Sequence, residues 1–89
     1  MINAMEETDI LVIGGGAAGL AAAESLSARR RVLLVEREER LGGVLLQCVH
    51  RGFGGEQTGP AYAAGSVARL AKTAVQVRTG THVLSLAPD

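Results

Sequence analysis

The chain has 89 residues, a mass of 9.2 kDa and 47% apolar content, enough for one small domain and too little for two. Nine basic residues balance nine acidic ones, so no long-range field draws the protein to nucleic acid or to an anionic membrane surface. The single cysteine, Cys48, excludes an internal disulfide and any metal centre built from several cysteines of one chain.

The first ten residues, MINAMEETDI, carry acids where an export signal needs bases. No apolar run reaches the length of a membrane span, and a cytoplasmic protein is the expectation. Ile10, Leu11, Val12 and Ile13 form a continuous apolar run stopped by three glycines, as for a strand buried on both faces. From Ala17 the pattern changes to AAGLAAAESLSARR, rich in residues of high helix propensity. Ala18, Ala22 and Leu26 recur four apart and predict the face that packs on a sheet. Arg29 to Arg31 fall where a helix C-terminus attracts positive charge. Val32 to Val35 is a second apolar run, ending at Glu36. Residues 8–36 thus read as a βαβ unit with parallel strands and a right-handed crossover.

Residues 37–59 hold six glycines, at 42, 43, 52, 54, 55 and 59, and predict an irregular connection with one short helical turn over 44–49. Pro60 suits the first turn of a helix, with Thr58 before it as a cap. Ala63, Val67, Leu70 and Ala74 share one helical face, which predicts a helix over 60–73. Val75 and Val77 alternate with polar neighbours, Gly80 offers a turn, and Val83, Leu84 and Leu86 supply a further strand, giving a strand pair over 75–86. The class is α/β, a Rossmann-like parallel sheet forming the N-terminal part of an FAD/NAD(P)-binding domain.

GGGAAG at 14–19 sets Gly14, Gly16 and Gly19 in the GxGxxG register. Gly14 serves a tight turn, Gly16 leaves room for a pyrophosphate against the backbone, and Gly19 lets the helix lie against the strand. The helix start directs unpaired N–H groups at the phosphates. The spacing alone is weak evidence; the strand before it, the helix after it and the acid ending the next strand give it weight. Glu36 lies 22 residues after Gly14, where a carboxylate accepts hydrogen bonds from ribose hydroxyls and repels a 2′-phosphate. That favours FAD or NAD over NADP. The competing reading has the glycines merely stopping a strand and Glu36 in water. Arg37 either lies over an adenine or faces solvent.

DILVIGGGAAG, then LLVERE, then LGG resemble the FAD-binding N-terminal segment of the two-dinucleotide-binding-domain flavoproteins, the superfamily of the disulfide reductases and many amine or amino-acid oxidoreductases. GGVLLQCVHRGFG followed by EQTGPAYA is similar to a narrower group that includes subunits of opine and sarcosine-type oxidases and relatives found beside glycerol-3-phosphate dehydrogenases. The resemblance runs from Asp9 to Asp89. It implies that Gly14, Gly15, Gly16, Ala17, Ala18 and Gly19 surround the pyrophosphate of FAD, with Glu36 on the adenosine ribose and Arg37 beside the adenine. It also implies that Gly42 and Gly43 run close to the ribityl and pyrophosphate region, with Val44, Gln47 and Cys48 near the flavin. His50 matches a histidine of the narrower group. Arg51 stands where those relatives often have asparagine, and Arg30 or Arg31 replaces a small residue. The whole enzyme implied oxidises a small amine, amino acid or hydroxy acid. These residues would be an incomplete part of it, joined by further chain, by self-association or by a second polypeptide.

The remaining polar residues carry less. Cys48 has no partner for dithiol exchange and reads as a buried, unreactive thiol. His50 either handles a substrate proton or bonds a loop carbonyl, while His82 reads as a surface residue beside a turn. Arg51 and Phe53 belong to a surface loop or cover a cofactor edge, and the Tyr62 ring packs on the sheet. Two other classes stand beside the flavoprotein: an NAD-binding dehydrogenase fragment and a non-catalytic cofactor-binding subunit.

Overall fold

The two apolar runs become neighbouring strands. In the computed structural model, which describes residues 7–47, 51–53 and 57–86, β1 (Ile10–Ile13) pairs in parallel with β2 (Val32–Val35), Ile10 opposite Val32 and Ile13 opposite Val35. Helix α1 (Ala17–Leu26) makes the crossover between them. Beyond β2 come a 3-10 turn (Gly43–Gln47), a short antiparallel hairpin of β3 (Arg51–Phe53) and β4 (Gln57–Thr58), helix α2 (Gly59–Leu70) and β5 (Gln76–Arg78). β5 pairs in parallel with β2, Val77 opposite Leu34, so the sheet runs β1-β2-β5. Two successive crossovers stepping in the same direction place both helices on one face.

That face holds the core. Leu20 and Ala23 of α1, Val32 and Leu34 of β2 and Leu70 of α2 are buried together, with Ile10, Val12, Leu41, Val67, Val75 and Val77 packed around them. β2 is buried along its whole length, as its unbroken apolar run predicts. β1 departs from that expectation, since Leu11 and Ile13 are 40% and 52% exposed. It has a ladder partner on one side only among the described residues, and the helices cover only the face carrying Ile10 and Val12.

The expected packing face of α1 is also displaced. Ala18 and Leu26 are exposed, and Leu20 and Ala23 carry the burial instead. A helix that is alanine on nearly every side has almost no amphipathic signal, so its rotation is set by where glycine permits the closest approach. The arginines after it do not serve its dipole, because α1 ends at Leu26. Arg31 instead pairs with Asp9 at 3.3 Å, at the exposed foot of β1.

For α2 the predicted face is largely the buried one, with Ala63, Ser66 and Leu70 inside; Ala74 lies beyond the helix and is exposed. Thr58 caps it, its Oγ1 accepting the Ala61 N–H at 3.3 Å, and Pro60 sits in the first turn. Thr58→Ala should lower stability by about 1 kcal/mol, a fall in Tm of roughly 4–8 °C for a domain of this size. Thermal denaturation checks it, and an unchanged Tm would show that this cap contributes nothing.

Two segments differ from expectation. The connection over 37–59 contains the β3–β4 hairpin, which its glycines disguise. No strand forms over 81–86, because the chain leaves the sheet at Gly80, a left-handed turn (φ +58°). Leu84 and Leu86 lie 91% and 69% exposed, so the second member of the predicted pair is absent from the described residues.

Candidate functional site

The C-terminal ends of β1 and β2 meet the start of α1, and the three glycines of the motif do different physical work there. Gly14 adopts φ +100°, a conformation that side chains of L residues rarely enter. Its N–H still donates to the Val35 carbonyl at 2.8 Å, so the turn begins directly on the sheet. Gly19 faces the other way: a Cβ there would collide with the Gly14 carbonyl oxygen and touch Val12. Its lack of a side chain lets α1 lie on the turn.

Gly16 is the helix N-cap, extended at φ −80° and ψ −166°, and no side chain caps the helix. The first helical bond runs from the Leu20 N–H to the Gly16 carbonyl at 2.9 Å, so the N–H groups of Ala17, Ala18 and Gly19 have no acceptor within the helix. A Cβ at Gly16 would meet nothing within 4 Å. The result is an open cradle above a bare helix N-terminus, suited to an anion.

Glu36, 9% exposed, follows β2 and reaches back into this turn. Its Oε1 accepts the Gly15 N–H at 2.7 Å, and its Oε2 accepts the Glu38 N–H at 2.8 Å. These two donors, the Glu38 N–H first, hold its carboxyl below the usual range against the opposing effect of burial. The folded state therefore favours the ionised form. The stabilisation is present above the ordinary carboxylate range and is lost as pH falls through the depressed value. Glu36→Gln should flatten the acid limb of denaturation as pH falls below the ordinary carboxylate range. Identical acid limbs in both proteins would show that Glu36 does not drive that transition.

The LGG segment closes on the same turn. The Gly42 N–H donates to the Gly15 carbonyl at 2.7 Å, and a Cβ at Gly43 would lie 3.2 Å from the Gly16 Cα. Gly42 and Gly43 both take positive φ, +124° and +55°, which is how the chain turns so close to another backbone. Gly14 to Gly19, Glu36, Gly42 and Gly43 thus form one cluster. Arg37 is exposed and pairs with Glu38 at 3.5 Å, bordering a cleft of about 290 Å³ lined also by Ile13, Gly14, Val35 and Glu36. Gln47 lines a second cleft, which it shares with Arg37, Gly43 and Leu46, and Val44 points outward, 70% exposed. Cys48 and His50 fall outside the described residues.

Sequence reasoning missed Thr81, His82 and Val83, which complete the 290 Å³ cleft. The Thr81 N–H donates to the Glu36 carbonyl at 2.9 Å and brings this segment beside the acid. Their position just past a third parallel strand was the available signal, since ligand crevices lie at the carboxyl ends of such strands. Chemically, the site offers backbone donors for a diphosphate, a fixed carboxylate for hydroxyl groups and a cleft beside both. Among the described residues no helix is long and apolar enough to cross a membrane, and no three metal-ligating side chains cluster.

Comparison with known proteins agrees with this fold. L-proline dehydrogenase from P. horikoshii superposes with a TM-score of 0.74 at 26% identity, over 85% of this chain and 16% of that one. HlmI gives 0.63 at 31% identity, over 80% and 23%. Thermovibrio ammonificans THI4 gives 0.67 at 20% identity, over 82% and 38%, a likeness of fold. The chain therefore spans only a minor part of each of these proteins. None of the curated proteins compared matches it. The model of the NAD(P)-binding Rossmann-like domain matches residues 12–87, from the middle of β1 to beyond β5, and the chain belongs to that family.

Proposed function

We propose that this chain is the FAD-binding segment of a flavin-dependent oxidoreductase whose whole protein oxidises a small amine, amino acid or hydroxy acid. The observation that carries the reading is the seating of the LGG turn on the glycine loop, through Gly42 on Gly15 and Gly43 against Gly16. A simple NAD site needs the glycine loop and the acid; here a third backbone segment borders the cradle, where a ribityl diphosphate would extend. Ala17, Ala18 and Gly19 would hold the pyrophosphate through their N–H groups, Glu36 the ribose, and Thr81 to Val83 with Arg37 the adenine side. When bound, FAD supplies a hydride acceptor; the residues of this chain bind and orient it.

The likeness to a proline dehydrogenase and the resemblance of 42–54 to the opine and sarcosine-type oxidase group support the substrate class. The edge of β1, unpaired among the described residues, and the exposed Leu11 and Ile13 beside it support completion by further strands or a second polypeptide. Titration of the purified chain with FAD, NAD and NADP, followed by flavin fluorescence and calorimetry, tests the cofactor. FAD should bind most tightly and NADP least. Preference for NAD would assign the site to a dehydrogenase instead.

A further inference from the structure

Glu36 does more than face a ligand. Its backbone N–H donates to the Arg78 carbonyl at 2.8 Å, and its carbonyl accepts the Thr81 N–H at 2.9 Å. Its two carboxylate oxygens accept from Gly15 and Glu38. Gly15 is buried, and its own carbonyl accepts from Gly42. One residue thus joins the glycine loop, the turn after β2, the segment after β5 and, through Gly15, the LGG turn. Each carboxylate oxygen can accept more than one hydrogen bond, so these internal bonds leave capacity for ribose hydroxyls.

We propose that Glu36 is a positioning residue for the diphosphate cradle: its carboxylate holds Gly15, and through it Gly42, in the ligand-accepting arrangement before any dinucleotide arrives. This rests on the dinucleotide-binding reading and adds a consequence to it. Reading hydroxyl groups requires a ligand that has them. Holding the loop matters for any diphosphate, including one whose ribose lacks both hydroxyls. Without the carboxylate, the Gly15 N–H is buried with no acceptor, and the loop shifts to satisfy it.

The test uses the full chain with ADP and 2′,3′-dideoxy-ADP, in wild type, Glu36→Ala and Glu36→Gln, read by calorimetry. Glu36→Ala should bind dideoxy-ADP about fivefold more weakly than wild type. Glu36→Gln should also lose affinity, because one amide oxygen cannot replace two acceptors and its NH2 confronts the remaining N–H. Amide hydrogen exchange without ligand should quicken at Gly15 and Glu38 in both variants and stay unchanged at Leu34 in the core. If both variants bind dideoxy-ADP as wild type does and only ADP is weakened, Glu36 reads the ribose alone and the positioning role is wrong. Exchange that quickens equally at Leu34 would also overturn it, showing a general structural role. Should wild type bind neither nucleotide, the dinucleotide-binding reading itself fails, and the positioning role with it.

Discussion

Gly19→Ala should destabilise the domain by about 3 kcal/mol, the upper end of the overpacking range, lowering Tm by roughly 12–24 °C. The added methyl is small and favours helix, so propensity alone predicts a gain. Sterics decide otherwise, because the Cβ would overlap the Gly14 carbonyl oxygen, a backbone atom that cannot rotate away as a side chain does. Relief requires α1 to lift from the turn, which would also pull Leu20 and Ala23 from their places against Val32 and Leu34. Urea and thermal denaturation followed by circular dichroism measure the loss. A Gly19→Ala protein melting within about 2 °C of wild type, a shift well below 1 kcal/mol, would show that the helix–turn contact is looser than the structure has it.

This contrast between glycines marks how far the sequence could be read. The two apolar runs and the glycines between them announced the parallel βαβ unit, because an unbroken apolar run followed by a sharp turn has few other uses in a fold of this size. Thr58 and Pro60 announced the start of α2 for a similarly local reason: a cap and its helix are neighbours in the chain. The packing face of α1 was not legible, since alanine presents the same surface on every side. The exposure of Leu11 and Ile13 arises because both helices cover the opposite face of the sheet, which strand composition does not report. Val83, Leu84 and Leu86 have the composition of a strand, but a strand also needs a ladder partner, and the residues over 81–86 find none among those described. At the site, spacing placed Glu36 at the end of β2 and left its hydrogen-bond partners unstated. Its bonds to Gly15 and Glu38 depend on a side-chain direction that no periodicity encodes. The contribution of Thr81 to Val83 arises because β5 adds to β2 rather than to β1, a choice made by topology.

Gly16 gives the second large effect, with opposite signs in two measurements. It is the N-cap of α1, extended as an N-cap should be, and space for a side chain is open. Serine ranks a few tenths of a kcal/mol above glycine at this position, because its hydroxyl can accept from the first-turn N–H groups. Gly16→Ser should therefore raise the stability of the ligand-free protein slightly. The same hydroxyl would stand in the cradle and occupy donors that a diphosphate needs. Charge-assisted bonds of this kind are worth about 1.5–3 kcal/mol each, so losing one should weaken dinucleotide binding by roughly tenfold to over a hundredfold. Melting temperature without ligand and calorimetric affinity for FAD and ADP form the paired measurement. A Gly16→Ser protein that is more stable and still binds both ligands as wild type does would move the diphosphate away from the α1 N-terminus. A protein that loses stability and keeps its affinity would make Gly16 a structural turn residue. The combination expected, a firmer helix end with a poorer site, follows from one group of backbone donors left uncapped so that a ligand can use them.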